Sequence, residues 1–84
     1  MNYSVFIENY AFKQLKQISK DVVPRIKEAI SSLSHNPRPN GYIKLKGIDA
    51  FRIRVGDYQI IYEIEDNLLI IKVVAIAHRK DVYN

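Results

Sequence analysis

The spacing of apolar residues changes period about halfway along the chain. After a short β-branched and aromatic run, "YSVFI", which reads as a strand, Ala11, Leu15, Ile18 and Val22 recur at helical spacing from Asn9 onward. Phe12 lies alongside this stripe and lysines lie opposite it. A break at residues 19–21 separates this helix from a second, whose stripe is Val23, Ile26, Ile30 and Leu33. Asp21 is placed to cap the second helix, and Pro24 falls in the first turn, where the missing N–H does no harm. "SHNPRPNG" stops it. The two stripes predict an antiparallel helical hairpin packed on a sheet.

Beyond residue 41 the period is two. "YIKLK" and "FRIRV" alternate, and "YQIIYEI" follows a turn at Gly56-Asp57. A turn at residues 65–67 leads to the final strand, Leu68 to Ala77, apolar at odd and even positions alike except for Lys72. Such a run predicts a central strand covered on both faces. The order β-α-α-β-β-β-β gives an α+β fold: a mostly antiparallel sheet with the helices on one side.

Eighty-four residues make one domain, 1–84, with a small core. There is no cysteine, hence no disulfide and no thiolate metal site. "MNYSVFIENY" has neither a basic leader nor an unbroken apolar run, and the longest apolar stretch is about half of what a membrane span needs. These features predict a cytoplasmic protein with no membrane partner. Of 13 basic and 9 acidic residues, the excess of +4 sits in one window: Arg38, Lys44, Lys46, Arg52 and Arg54 against Asp49. A local positive patch suits a polyanion, although a solvated surface would look the same in composition.

In "FRIRV", Phe51, Ile53 and Val55 fall on one face and Arg52 and Arg54 on the other. Two guanidiniums side by side repel unless an anion lies between them, and the planar fork of arginine suits phosphate. Lys44 and Lys46 alternate in the same way on the preceding segment, so a neighbouring strand there would extend a basic platform. Against this stands the use of Lys and Arg to protect sheet edges. The ending "AIAHRKDVYN" gathers His78, Arg79, Lys80 and Tyr83 at the end of the last strand, where a turn could fold them over the rim of that platform. His78 can move a proton near neutrality, Arg79 can stabilise phosphoryl charge, and Tyr83 can stack on a base. No phosphate-binding glycine loop, no His-x-x-x-His zinc spacing and no serine elbow is present, so no metal or cofactor is expected.

The run "KLKG…FRIRVGDYQIIYEI…IIKVVAIAHRKDVY" closely resembles the RelE family of the RelE/ParE toxin superfamily, and the upstream helices fit the same pattern. The resemblance implies a type II toxin that enters the ribosomal A site and cuts mRNA without a metal. It also implies a RelB-like antitoxin, and operator binding only through the toxin–antitoxin complex. The family's active-site positions fall on Arg52, Arg54, Gln59, Arg79 and Tyr83. Independently of the family, the basic platform and the tail make Lys44, Lys46 and Lys80 expected RNA contacts, with Gln59 beside them. Well-studied members carry lysines at the positions of Arg52 and Arg54, and arginine at that of Gln59. Arginine is a poor base: at pH 7 its neutral form lies about 8 kcal/mol uphill. Arg52 and Arg54 are therefore expected to hold phosphate, and His78 becomes the candidate acid or base. Two rival expectations are a ParE-like inhibitor of DNA gyrase without RNA chemistry, and an inactive domain that binds only antitoxin and operator.

Overall fold

A computed structural model describes residues 2–78; Arg79, Lys80 and Tyr83 lie outside the described residues. The alternation in "SVFI" builds β1 (Ser4–Ile7), with Val5 and Ile7 packed on the core and Ser4 and Phe6 exposed. Two helices follow, α1 (Asn9–Lys16) and α2 (Val23–Leu33). Turns join them, yet Ile18 in that joint stays buried, as its place in the stripe requires. Asp21 does not cap α2. The cap position is Val22 and carries no side-chain bond; the Ser19 carbonyl takes the Val22 and Val23 N–H groups at 3.0 and 3.2 Å instead. Pro24 lies in the first turn as expected.

The sheet comprises β1, β2 (Ile43–Lys44), β3 (Phe51–Val55), β4 (Tyr58–Glu65) and β5 (Ile70–His78), in the spatial order β1-β5-β4-β3-β2. Among the described residues only the β1–β5 pair is parallel. Ala11, Leu15, Ile26, Ile30 and Leu33 from the helices meet Ile53, Ile60, Tyr62, Ile71, Val73 and Ile76 from one face of the sheet. Each fully buried isoleucine contributes about 1.5–3 kcal/mol, so this contact, rather than any surface ion pair, holds the two layers together.

Two of the expected strands differ in detail. β2 is two residues long where five were expected, because the chain turns at Gly47 (φ +79°) and Leu45 N–H bonds back to the Ala50 carbonyl. β5 is interior, between β1 and β4, but among the described residues the helices pack on only one of its faces. Its mixed apolar pattern has another cause. Ile61 pairs with Ala75 and Tyr62 with Val73, leaving Val74 as an extra residue in a bulge. Inward positions therefore run Ile71 and Val73 before the bulge and Ile76 and His78 after it. The phase of burial changes within one strand.

β5 also outruns β1, whose last pair is Ile7 with Val73. Beyond that point the Gln14 side chain of α1 supplies the missing neighbour, its Oε1 accepting the Ile76 N–H at 2.6 Å.

Candidate nucleic-acid interface

Register assigns each predicted site residue to a face. Ile53 lies opposite Ile60, which lies opposite Ile76, so that row belongs to the core. The neighbouring row, Arg54–Gln59–Ala77, must then face away from the helices, as must the row Ile43–Arg52–Ile61–Ala75. Arg52 and Arg54 thus stand side by side over a floor of Ile61, Ala75 and Ala77. Arg54 is exposed and Arg52 half-buried. Among the described residues, neither guanidinium has a side-chain hydrogen bond or an ion pair. The acids on the same face, Glu63 and Glu65, lie at its far end, opposite Lys72 and Ile70.

Gln59 is the buried polar residue of this face, 7% exposed, and its amide also has no side-chain hydrogen bond among the described residues. A buried amide without a partner costs roughly 1–3 kcal/mol. It stands beside Arg54, where an incoming polar ligand would satisfy it.

Lys44 and Lys46 do not extend this platform. Lys44 pairs with Phe51 and so belongs to the opposite face, its Nζ donating to the Ile48 carbonyl at 3.1 Å. Lys46 lies past the end of β2, in the loop that Leu45 and Ala50 close. Nor does His78 face the two arginines. The bulge at Val74 puts it in the row of Val55 and Tyr58, on the helix side. Its ring meets that of Tyr58 edge-on at 5.1 Å, beside a polar cavity of about 190 Å³ lined by Gln14, Gln17 and Ile18.

The loop after α2 is fastened at two points that the sequence reading did not foresee. Arg38 forms a two-pronged pair with Asp66 (2.9 and 3.3 Å), to which the Tyr3 hydroxyl also donates at 2.7 Å. Arg38 is thereby withdrawn from the basic patch. Its bond, and then that of Tyr3, holds the Asp66 carboxyl below its ordinary range; the same carboxylate raises the Tyr3 phenol. Further in, the Tyr62 hydroxyl donates to the Pro37 carbonyl at 2.7 Å. Burial pushes this phenol up to about 12.

Comparison with known proteins bears on the family and the fold. The chain is 32% identical over 90 residues to a RelE-like toxin protein of Escherichia coli, covering 100% of this chain and 93% of that one. It is 30% identical over 89 residues to the toxin RelE1 of Methanocaldococcus jannaschii, covering 99% and 97%. The crystal structure of the archaeal RelE–RelB complex from Pyrococcus horikoshii contains a chain 31% identical to this one. That chain superposes with a TM-score of 0.85 over 98% of this chain and 100% of its own length. Residues 5–83 also match the family model of the ParE toxin of type II toxin–antitoxin systems, parDE. The chain belongs to the RelE family of type II toxins. In this RelE-family chain, the order of one strand, two helices and four strands is the one the sequence predicted. No helix among the described residues is long and apolar enough to cross a membrane.

Proposed function

We propose that this RelE-family toxin is a metal-independent endoribonuclease that cuts mRNA in the ribosomal A site and so stops translation in the cytoplasm. The observation that carries the reading is the pair Arg52 and Arg54: adjacent on the sheet face opposite the helices and, among the described residues, without ion pairs. An RNA phosphate between them would relieve their repulsion and accept hydrogen bonds from both.

The reaction is attack by the RNA's own 2′-hydroxyl oxygen on the adjacent phosphorus. The P–O5′ bond breaks, a 2′,3′-cyclic phosphate forms, the 2′-hydroxyl gives up its proton and O5′ gains one. Arg52 and Arg54 hold the phosphate as its charge grows. Gln59, next in the row, offers an amide N–H to the phosphate or the ribose. Arg79 and Tyr83, family active-site positions by the resemblance, are assigned respectively to stabilising the pentavalent phosphate or supporting the leaving oxygen, and to stacking on or orienting the substrate nucleotide; Lys80 is assigned as a further RNA contact. The His78 ring lies on the other face, so no proton transfer is assigned to it. Ribosomal RNA would complete the site, which makes free RNA a poor substrate. The Pyrococcus horikoshii RelE–RelB complex supports a RelB-like antitoxin for this chain. Operator DNA would be bound only through their complex.

The test is incubation with programmed ribosomes that carry an open A site, followed by primer extension to map new 5′ ends. Cuts confined to the A-site codon, lost in Arg79→Ala and absent without ribosomes, are expected. Intact mRNA from folded, toxic protein would shift the reading to gyrase inhibition, which the match to the ParE family model favours as the second choice.

A further inference from the structure

A second feature adjoins the two arginines. β2 pairs only with Phe51 and Arg52, so among the described residues the remaining length of β3, Ile53 to Val55, has no strand beside it on that edge. The reason lies in the preceding turn. Tyr42 N–H bonds to the Pro39 carbonyl at 3.0 Å, and Gly41 takes φ +89° at the third position, the geometry of a type II turn. A cleft of about 280 Å³ lies between this turn, α2 and β3, lined by Ala29, Ser32, Pro39, Asn40, Ile53 and Arg54.

We propose that this cleft is a base pocket: it receives one nucleobase of the RNA strand whose phosphate lies on Arg52 and Arg54. The inference rests on the nuclease reading above and adds to it the site that reads the strand. Four observations support it. The walls from Ala29, Pro39 and Ile53 are apolar, whereas Ser32 and Asn40 bring a hydroxyl and an amide, each able to donate and to accept. Flat apolar faces with a mixed donor–acceptor rim are what an unstacked base presents. Arg54 lines the cleft at the edge of β3 and also stands in the phosphate row on the other face, so the cleft opens at the sheet edge next to that row. The cleft is also small. It falls just under the roughly 300–1,000 Å³ of pockets that bury drug-sized ligands, which suits one heterocycle and not a length of peptide. Finally, the turn is held in place before any ligand arrives: the Pro37 carbonyl is bound by Tyr62 and the Arg38 side chain by Asp66. A wall fixed in advance loses little entropy on binding.

The test titrates free toxin with the single-stranded RNA trinucleotides UAU, UGU, UCU and UUU, and with a fifth in which the central base is absent. Amide shifts are followed by NMR. At least one intact trinucleotide is expected to shift the amides of Ser32, Asn40 and Gly41 and to bind more tightly than the abasic one. Asn40→Ala and Ser32→Ala should each lower that affinity by about 2- to 10-fold while leaving the abasic trinucleotide unaffected. Equal binding of intact and abasic RNA, or shifts confined to Arg52 and Arg54, would overturn the pocket. So would shifts of Ser32 and Asn40 that appear with an antitoxin peptide and with no RNA. If the wild type still cuts mRNA on programmed ribosomes in such a case, the nuclease reading stands and the pocket alone is lost.

Discussion

The hydroxyl of Tyr62, at the centre of the sheet, donates to the carbonyl of Pro37 in the loop that follows α2, at 2.7 Å. It is a tether from the core to the loop carrying the Pro39–Tyr42 turn. Tyr62→Phe keeps the ring and deletes the tether, so a loss of about 0.5–1.5 kcal/mol is expected. That is a fall of several degrees in melting temperature for a domain of this size. The effect should also depend on pH. The phenol's ordinary value is 10.0 and burial raises it to about 12 in the fold. The neutral form is therefore favoured by folding: the contribution is complete below pH 10 and disappears as pH rises through 12. Wild type should lose stability over that interval more steeply than Tyr62→Phe. Parallel alkaline curves would show that the tether is not what burial protects.

Gln14 offers a second measurement. Its Oε1 takes the N–H of Ile76 where β1 no longer can. Gln14→Ala should cost about 1 kcal/mol, the low end for a lost hydrogen bond partner, because the adjoining polar cavity lets water replace the amide. The specific sign is faster hydrogen exchange at the Ile76 amide, with Ile60 and Ile71 unchanged. Uniform acceleration at all three would mean that α1 had loosened as a whole.

His78→Gln is expected to change the rate of mRNA cleavage by less than about threefold, because the imidazole faces Tyr58 and not the arginines. Its cost should appear in stability, through the lost edge-to-face contact, at about 0.5–1.5 kcal/mol. A fall of 10²-fold or more in single-turnover cleavage, with ribosome binding intact, would restore His78 as the acid or base.

Arg54→Ala should lower cleavage by roughly 10- to 100-fold, the worth of one or two hydrogen bonds to a charged group. It should leave the melting temperature nearly unchanged, since the residue is exposed. Arg54→Lys keeps the charge but not the fork and should fall between the two. Full activity in Arg54→Ala would remove the phosphate clamp.

How much of this could be read in advance differs from residue to residue. The helical hairpin was legible because Ala11, Leu15, Ile26, Ile30 and Leu33 all obey one period and all are buried. The placement of Arg52 and Arg54 followed from alternation within five residues, and the register agrees with it. Lys44 and Lys46 were misplaced beside the arginines: pairing with Phe51 rather than Arg52 puts Lys44 on the other face, and the turn at Gly47 ends β2 before Lys46. Gln14 did leave a signal: it sits three residues from Ala11 and four from Ile18, a polar side chain on the buried stripe, which needs a partner. The tethers of Arg38 and Tyr62 link positions far apart in sequence and left none. Arg79, Lys80 and Tyr83 lie beyond the described residues, and their roles stay with the family resemblance.

The extra residue at Val74 has a consequence for how this chain tolerates changes of length. In an alternating strand every side chain after an inserted or deleted residue trades faces with its neighbour. The bulge is the exception, because it already absorbs one residue out of phase. Removing Val74 would straighten the strand and leave Ala75 and Ala77 beneath the arginines, with Ile76 and the imidazole still on the helix side. Removing both Val74 and Ala75 would turn Ile76 and the imidazole outward and carry Ala77 into the core. Length changes in this stretch should therefore be tolerated by one residue and rejected by two, a parity rule that a deletion series scored for folding and toxicity would expose directly.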